Sequence, residues 1–220
     1  MSLMRSSFAA FQRATRYVLT KTRQPTTLRP SKSFSTCSIG LSLSSLSHSV
    51  PFGVRQSEQE FIQSRNKGIA YMMENGYDME SAVEQQVVWG DHDQMGHLNN
   101  VRYLRYVETA RMQFIENLAR NLSPARQKDI QGGGTGVGVI LASTYIKYKR
   151  PVVYPDTLLV ASKPSNILQD RFNLDAVLWS YSQLKPVATV EAVIVSYDYG
   201  KLAKASMPDD LLSQLKLKMQ

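Results

Sequence analysis

A chain of 220 residues with 43% apolar content has room for one or two domains, and nowhere does it string together the roughly 18 apolar residues of a membrane helix. Its formal charge of +8 is unevenly spread: residues 1 to 50 hold seven Lys or Arg and no Asp or Glu, leaving 19 basic against 18 acidic residues beyond them. The main body is nearly neutral and carries no basic stripe of the kind that phosphate backbones select, so nucleic acid is not an expected partner.

In chain order, the first 45 residues are basic, acid-free and rich in Ser, Thr and Arg. Met4, Phe8, Phe11, Val18 and Leu19 recur at helical spacing, with Arg5, Arg13, Arg16 and Arg23 supplying charge on the other side. That is the composition of an organelle transit peptide. Arg outnumbers Lys and the pattern begins almost at Met1, which favours the mitochondrion and sets the mitochondrial matrix as the expected location. Cleavage is expected between Pro30 and Leu46. The only cysteine, Cys37, lies in this leader, so neither an intramolecular disulfide nor a Cys-based metal site is expected.

Residues 46 to 82 read as a linker and an amphipathic helix. Phe61, Ile62, Ile69, Met72 and Met73 form a broad apolar face, and Asn75-Gly76 is a stop signal. Residues 83 to 212 read as one domain, with 213 to 220 as a tail. AVEQQVVWGDHD has strand character to Gly90. NNVRYLRYVETARMQFIENLARNL reads as a long helix, with Val101, Leu104, Val107, Phe114, Ile115, Leu118 and Leu122 at spacings of three and four. Tyr103, Tyr106, Ala110 and Met112 fall on other sides, so most of its circumference should be wrapped. Gly132 to Gly138 lacks the Lys-Ser/Thr of a P-loop and reads as a flexible loop. Four strand-like runs follow: Val137 to Tyr148, Thr157 to Pro164, Arg171 to Tyr181 and Val187 to Tyr197. The turns between them are too short for helical crossovers, so the sheet is expected to be antiparallel. PDDLLSQLKLK reads as a closing helix.

The run GDHDQMGHLNNVRYLRYVETAR concentrates the chemistry. Asp93, His97, Leu98, Asn99, Asn100, Tyr103 and Leu104, then Glu108, Ala110 and Arg111, resemble the segment leading into the central helix of 4-hydroxybenzoyl-CoA thioesterase-like proteins. That branch includes acyl-CoA and acyl-ACP thioesterases. YIKYKRPVVYPDTLLV and VATVEAVIVSYDYGKLAKASMPDDL are similar to later parts of the same family. The resemblance implies an α+β hotdog fold, about five antiparallel strands wrapped round one long helix, with extra terminal helices. It also implies a homodimer or dimer of dimers whose sheets join edge to edge, acting on acyl-CoA or acyl-ACP without a cofactor.

Thioester hydrolysis needs a carboxylate that attacks the acyl carbon or activates water, and donors for the developing oxyanion. The resemblance assigns that carboxylate to Asp93, with nucleophile and general-base roles both open. Gly96 lies in the turn before a helix whose first amides are unpaired, a suitable oxyanion site. His97 is a possible donor to the carbonyl or leaving thiolate, and Asn99 a possible orienting group. Glu108 is either a support for the catalytic water or half of an i,i+3 pair with Arg111. Lys147, Lys149 and Arg150 are candidates for the nucleotide end of coenzyme A, or simply solvated charges.

Duller readings apply to neighbours: Asp91 as a turn-former, Asn100 as a helix cap, Tyr103 and Tyr106 as core. His92 and His97 have no third ligand spaced to complete a metal site. Two other functions stand as alternatives. One is enoyl-thioester hydration, whose usual signature resembles Gly-Asp-x-Asn-Pro-(aliphatic)-His. Here no Pro intervenes, and His97 follows Asp93 by four positions and Asp91 by six. The other is a non-catalytic hotdog scaffold or acyl-thioester binding protein.

Overall fold

Ser57 opens the first helix, α1 (Glu58–Glu74), through a reciprocal capping box. Its hydroxyl accepts from the Glu60 amide, and the Glu60 carboxylate accepts from the Ser57 amide. The computed structural model describes residues 57–219. The leader, Cys37 and most of the expected linker lie outside the described residues.

The buried side of α1, Ser64, Gly68 and Met72, rests on the outer face of the sheet against Leu159, Ala161, Val177, Trp179 and Tyr181. Contact is closest at Gly68, where a Cβ would stand 3.0 Å from Trp179 Cδ1. Close approach along this stripe narrows the contact, and Ile62 and Met73, read as part of the same face, are exposed.

The strands are β1 (Asp78–Val87), β2 (Val137–Tyr148), β3 (Asp156–Ser165), β4 (Arg171–Ser180), β5 (Lys185–Asp198) and the two-residue β6 (Ala203–Lys204). They pair antiparallel throughout in the order β1-β3-β4-β5-β2, with β6 added on β5. Alternation sorts their side chains: Leu158, Val160, Phe172, Leu174, Ala176, Ala188, Val190 and Ile194 face inward. They meet the long helix α2 (Asn100–Arg120). The α+β hotdog architecture expected from the sequence is the one found.

The helix is not wrapped as fully as its composition implies. Tyr103, Tyr106, Val107, Ala110, Phe114, Ile115 and Leu118 are buried, whereas Val101 is 65% exposed, Leu104 39% and Met112 51%. The sheet curls over one side of α2 only. Val101 and Leu104 lie beside the edge strand β2, which itself exposes Ile140, Leu141, Tyr145 and Tyr148, whereas Met112 opens on a separate groove with Gln131.

Other differences have local causes. Strand β1 starts at Asp78 and stops at Val87, because residues Trp89–Asp91 tighten into a 3₁₀ turn. Between α2 and β2 lies a short helix, α3 (Pro124–Ile130), capped by Ser123 with Pro124 in its first turn. The glycine loop after it folds back on α3, Gly136 donating to Asp129 at 2.9 Å. The last helix, α4 (Asp209–Leu217), runs straight through the boundary drawn at residue 212. Leu211 and Leu215 are fully buried, and Lys218 pairs with Asp78 at 3.0 Å and Glu80 at 2.5 Å, so the supposed tail is part of the domain. Among the described residues, no helix is long and apolar enough to cross a membrane.

Candidate active site

The 3₁₀ turn delivers the chain to a compact loop, Asp91 to Asn99, before α2 begins. Its two arms are bridged at His92 and Leu98. Asp93 N–H donates to the His97 carbonyl at 2.8 Å, and Gly96 N–H donates to the Asp93 carbonyl at 3.1 Å. Gly96 has φ +74°, the left-handed conformation that glycine tolerates best, which explains its place at the tip. Leu98 N–H donates to the Val152 carbonyl at 2.7 Å, and the Tyr154 N–H donates to His92 Nε2 at 2.8 Å. The loop is thereby tied to the segment between β2 and β3.

Within it, Asp93 Oδ1 accepts from Met95 N–H at 2.8 Å and, at the longer distance of 3.5 Å, from His97 N–H. Among the described residues its other oxygen, Oδ2, has no donor. Asp93 lines a cavity of about 350 Å³ together with Leu98, Asn100, Tyr103, Tyr148, Lys149, Arg150 and Pro151. The N-terminus of α2 opens there. Asn99 is the helix cap, its Oδ1 accepting from Val101 N–H at 3.0 Å, and Asn100 is the first helical residue. The Asn100 amide has no acceptor among the described residues and sits where the helix dipole is positive. It, and not the amide of Gly96, is the free donor at the cavity.

The sequence-derived set therefore divides. Asp93, Lys149 and Arg150 share one cavity. Lys147 does not join them: it stands opposite Thr189 on β5, between inward-facing Ile146 and cavity-lining Tyr148, so strand alternation sends it to the outer face. His97 is exposed at the loop and does not line the cavity. Asn99 spends its side-chain oxygen on the cap, the role read for Asn100. Glu108 lies two turns along α2, held by Arg105 and, at 3.8 Å, by Arg111. It faces a separate groove of about 310 Å³ with Val101, Leu104, Leu141 and Thr144.

Tyr103, read as core, and Tyr148, which the sequence did not single out, do more than fill space. Tyr103 is buried and walls the cavity, its ring 5.2 Å from that of Tyr148 in a T-shaped contact. Burial, with Tyr148 close by, pushes its phenol up to about 12, so it remains neutral as a hydrogen-bonding group. Tyr148, likewise raised by burial, donates to the Asn100 carbonyl at 3.0 Å and thereby ties the end of β2 to the start of the helix. Tyr103 and Tyr148 are aromatic neighbours across two elements, which one-dimensional spacing does not disclose.

A family profile described as the thioesterase-like superfamily matches residues 87–215. The chain belongs to this superfamily. The matched span contains the loop, the helix, every strand from β2 onward and most of the last helix. No curated protein matches the sequence. Among solved structures, a hypothetical protein from Staphylococcus aureus in complex with CoA superposes with a TM-score of 0.54 at 13% identity, over 63% of this chain and 82% of that one. A Thermus thermophilus thioesterase complexed with coenzyme A and Zn gives 0.51 at 18% identity, over 63% and 93%. A 1,4-dihydroxy-2-naphthoyl-CoA thioesterase from Synechocystis gives 0.52 at 20% identity, over 61% and 94%. At such identities these neighbours establish the shared hotdog fold of the superfamily.

Proposed function

We propose that the protein hydrolyses acyl thioesters of coenzyme A, with Asp93 as the essential carboxylate. The observation that carries this reading is the cavity at the start of α2. There Asp93, with a carboxylate oxygen that has no donor among the described residues, Asn100, with a helix-terminal amide that has no acceptor among them, and the cations Lys149 and Arg150 line one cavity. In the proposed reaction the thioester carbonyl oxygen lies toward the Asn100 amide, which stabilises the negative charge as it develops. Asp93 either takes a proton from the attacking water or attacks the acyl carbon itself, forming an anhydride that water then opens. The C–S bond breaks in either route, and coenzyme A leaves as its thiol. Lys149 and Arg150 suit the phosphates of the nucleotide end. Acyl carrier protein presents the same phosphopantetheine arm and is the second carrier within this reading.

The active unit in this proposal is a homodimer. The position of β2 at the edge of the sheet, unpaired on its outer side among the described residues, and the exposed apolar residues Val101, Leu104, Ile140 and Leu141 support it, since free sheet edges and contiguous apolar surface are normally covered. The basic, acid-free leader supports a mitochondrial location.

The test is thiol release from short, long and aromatic acyl-CoAs by the full chain and by Asp93→Asn. The expected result is activity in the parent that falls at least ~100-fold in the variant, the scale of losing a general base. A folded parent silent on every acyl-CoA and acyl carrier protein substrate overturns the reading. So does an Asp93→Asn protein as fast as the parent.

A further inference from the structure

Asp91 is a buried carboxylate, 6% exposed, two residues from the proposed catalytic aspartate and absent from its cavity. A turn-forming aspartate satisfies itself on amides of its own turn. Asp91 does so once, Oδ2 accepting from Val88 N–H at 3.3 Å, and then reaches much farther. The same oxygen accepts from the Tyr106 hydroxyl at 2.6 Å, fifteen residues ahead on α2. Oδ1 pairs with Arg102 Nε at 3.0 Å, one turn earlier on the same helix. Tyr106 is itself buried in the inner core among Val87, Leu98, Tyr103 and Val107.

The backbone of Asp91 completes the connection. Its carbonyl accepts from Asn99 N–H at 2.9 Å, and Asn99 is the residue that caps α2. One residue therefore grips the helix twice by its side chain and the loop's far end by its backbone. Asp93 rides between these points. The opposite side of the loop is tied to the segment between β2 and β3 through Leu98 and His92, as described above.

We infer that Asp91, through Tyr106 and Arg102, is a positioning residue that sets the Asp93 carboxylate against the N-terminus of α2. The inference rests on the proposed thioesterase reading and assigns Asp91 a part in it that requires no contact with substrate. A buried carboxylate needs all its donors, so loss of the Tyr106 hydroxyl loosens the loop at this point. The substrate-holding groups Tyr148, Lys149 and Arg150 belong to the end of β2 and keep their places. The consequence is a loss in kcat with KM retained. Misplacement of a reacting group by about 1 Å costs on the order of 100-fold in rate.

The decisive variant is Tyr106→Phe, which keeps the ring in the core and removes only the hydroxyl; Asp91→Asn is the companion. Two readouts are made on the full chain: steady-state kinetics with the best acyl-CoA substrate, and amide hydrogen exchange. Expected are a ~10- to 100-fold fall in kcat, with KM within about 2-fold of the parent. Expected too is faster exchange at Asp93, Gly96 and Asn99, whose amides bond within the loop, with unchanged exchange at core amides such as Val160 and Val190. The double variant should be no slower than the slower single one, because both break one connection.

Unchanged loop exchange in Tyr106→Phe overturns the inference, since Asp93 would then be held by other means. Exchange that rises equally in loop and core also overturns it, by showing a general loss of stability. A kcat equal to the parent's, with the loop loosened, does the same. If the parent hydrolyses no thioester, the proposed function fails on its own, and hydrogen exchange still decides whether Asp91 and Tyr106 hold the loop.

Discussion

The two halves of α2 share one hydrophobic period and have opposite surroundings. From Ala110 onward the helix is packed on several sides: Phe114 and Ala119 are fully buried, and Asn117 donates to the Glu80 carbonyl at 2.7 Å. Leu118 and Leu122 join Leu211 and Leu215 of α4 and Ile130 of α3 in one cluster. The first three turns bury Tyr103, Tyr106 and Val107 but leave Val101 and Leu104 open beside Leu141 of β2. The proposed site is gathered at the start of this less covered half, where Asn100 and Tyr103 meet Asp93, Lys149 and Arg150. Stability is concentrated where extra helices close over α2, and the cleft persists where none does.

That contrast is broken most sharply at Phe114. Replacing it with Ala removes a fully buried ring and should lower the unfolding free energy by ~3–5 kcal/mol, measured by urea denaturation, without changing kcat of the folded fraction. Asp93→Asn is the mirror image, a large loss of thiol release with a denaturation midpoint close to the parent's.

Leu104→Lys tests the open half as a subunit contact. Its monomer stability should stay within ~0.5 kcal/mol of the parent, as for surface substitutions. Sedimentation should show the proposed dimer in the parent and a shift toward monomer in the variant; a parent that sediments as a monomer would overturn the dimer, and an unchanged dimer would place the subunit contact elsewhere.

Asn99→Ala removes the cap of α2 and should cost ~1 kcal/mol, a smaller effect confined to the end that carries the site. The finest difference lies at alkaline pH. Tyr106 is raised above its ordinary value of 10.0 by burial and by the Asp91 carboxylate, and Tyr103 to about 12. Phenols raised in the folded state are protonated there while the unfolded chain ionises, so stability holds below pH 10 and falls as pH rises above it. A tyrosinate titration should show these groups ionising together with unfolding; Tyr106→Phe should flatten the stability loss.

Much of this was legible in one dimension. Val137 to Tyr148 alternates and is strand over that whole range, and the long helix and Asp93 loop stand where the residue pattern puts them. What was not legible depends on contacts between distant segments. Lys147 and Lys149 look equivalent in sequence, yet a strand turns one to the outer face and its end delivers the other to the cavity. Asp91 passes for a turn residue until Tyr106, fifteen positions later, returns to meet it.

The amino-acid sequence by itself determined the longer helices and the five main strands, their antiparallel character and the placement of a carboxylate before a helix, because periodicity, caps and turn residues act over a few positions. Only the tertiary structure decided which side of α2 is covered, which amide remains free at the cavity and which cations share it with Asp93. Those outcomes depend on how a curved sheet of finite width meets a helix, and hydrophobic spacing alone states that a side chain can be buried without stating what will bury it.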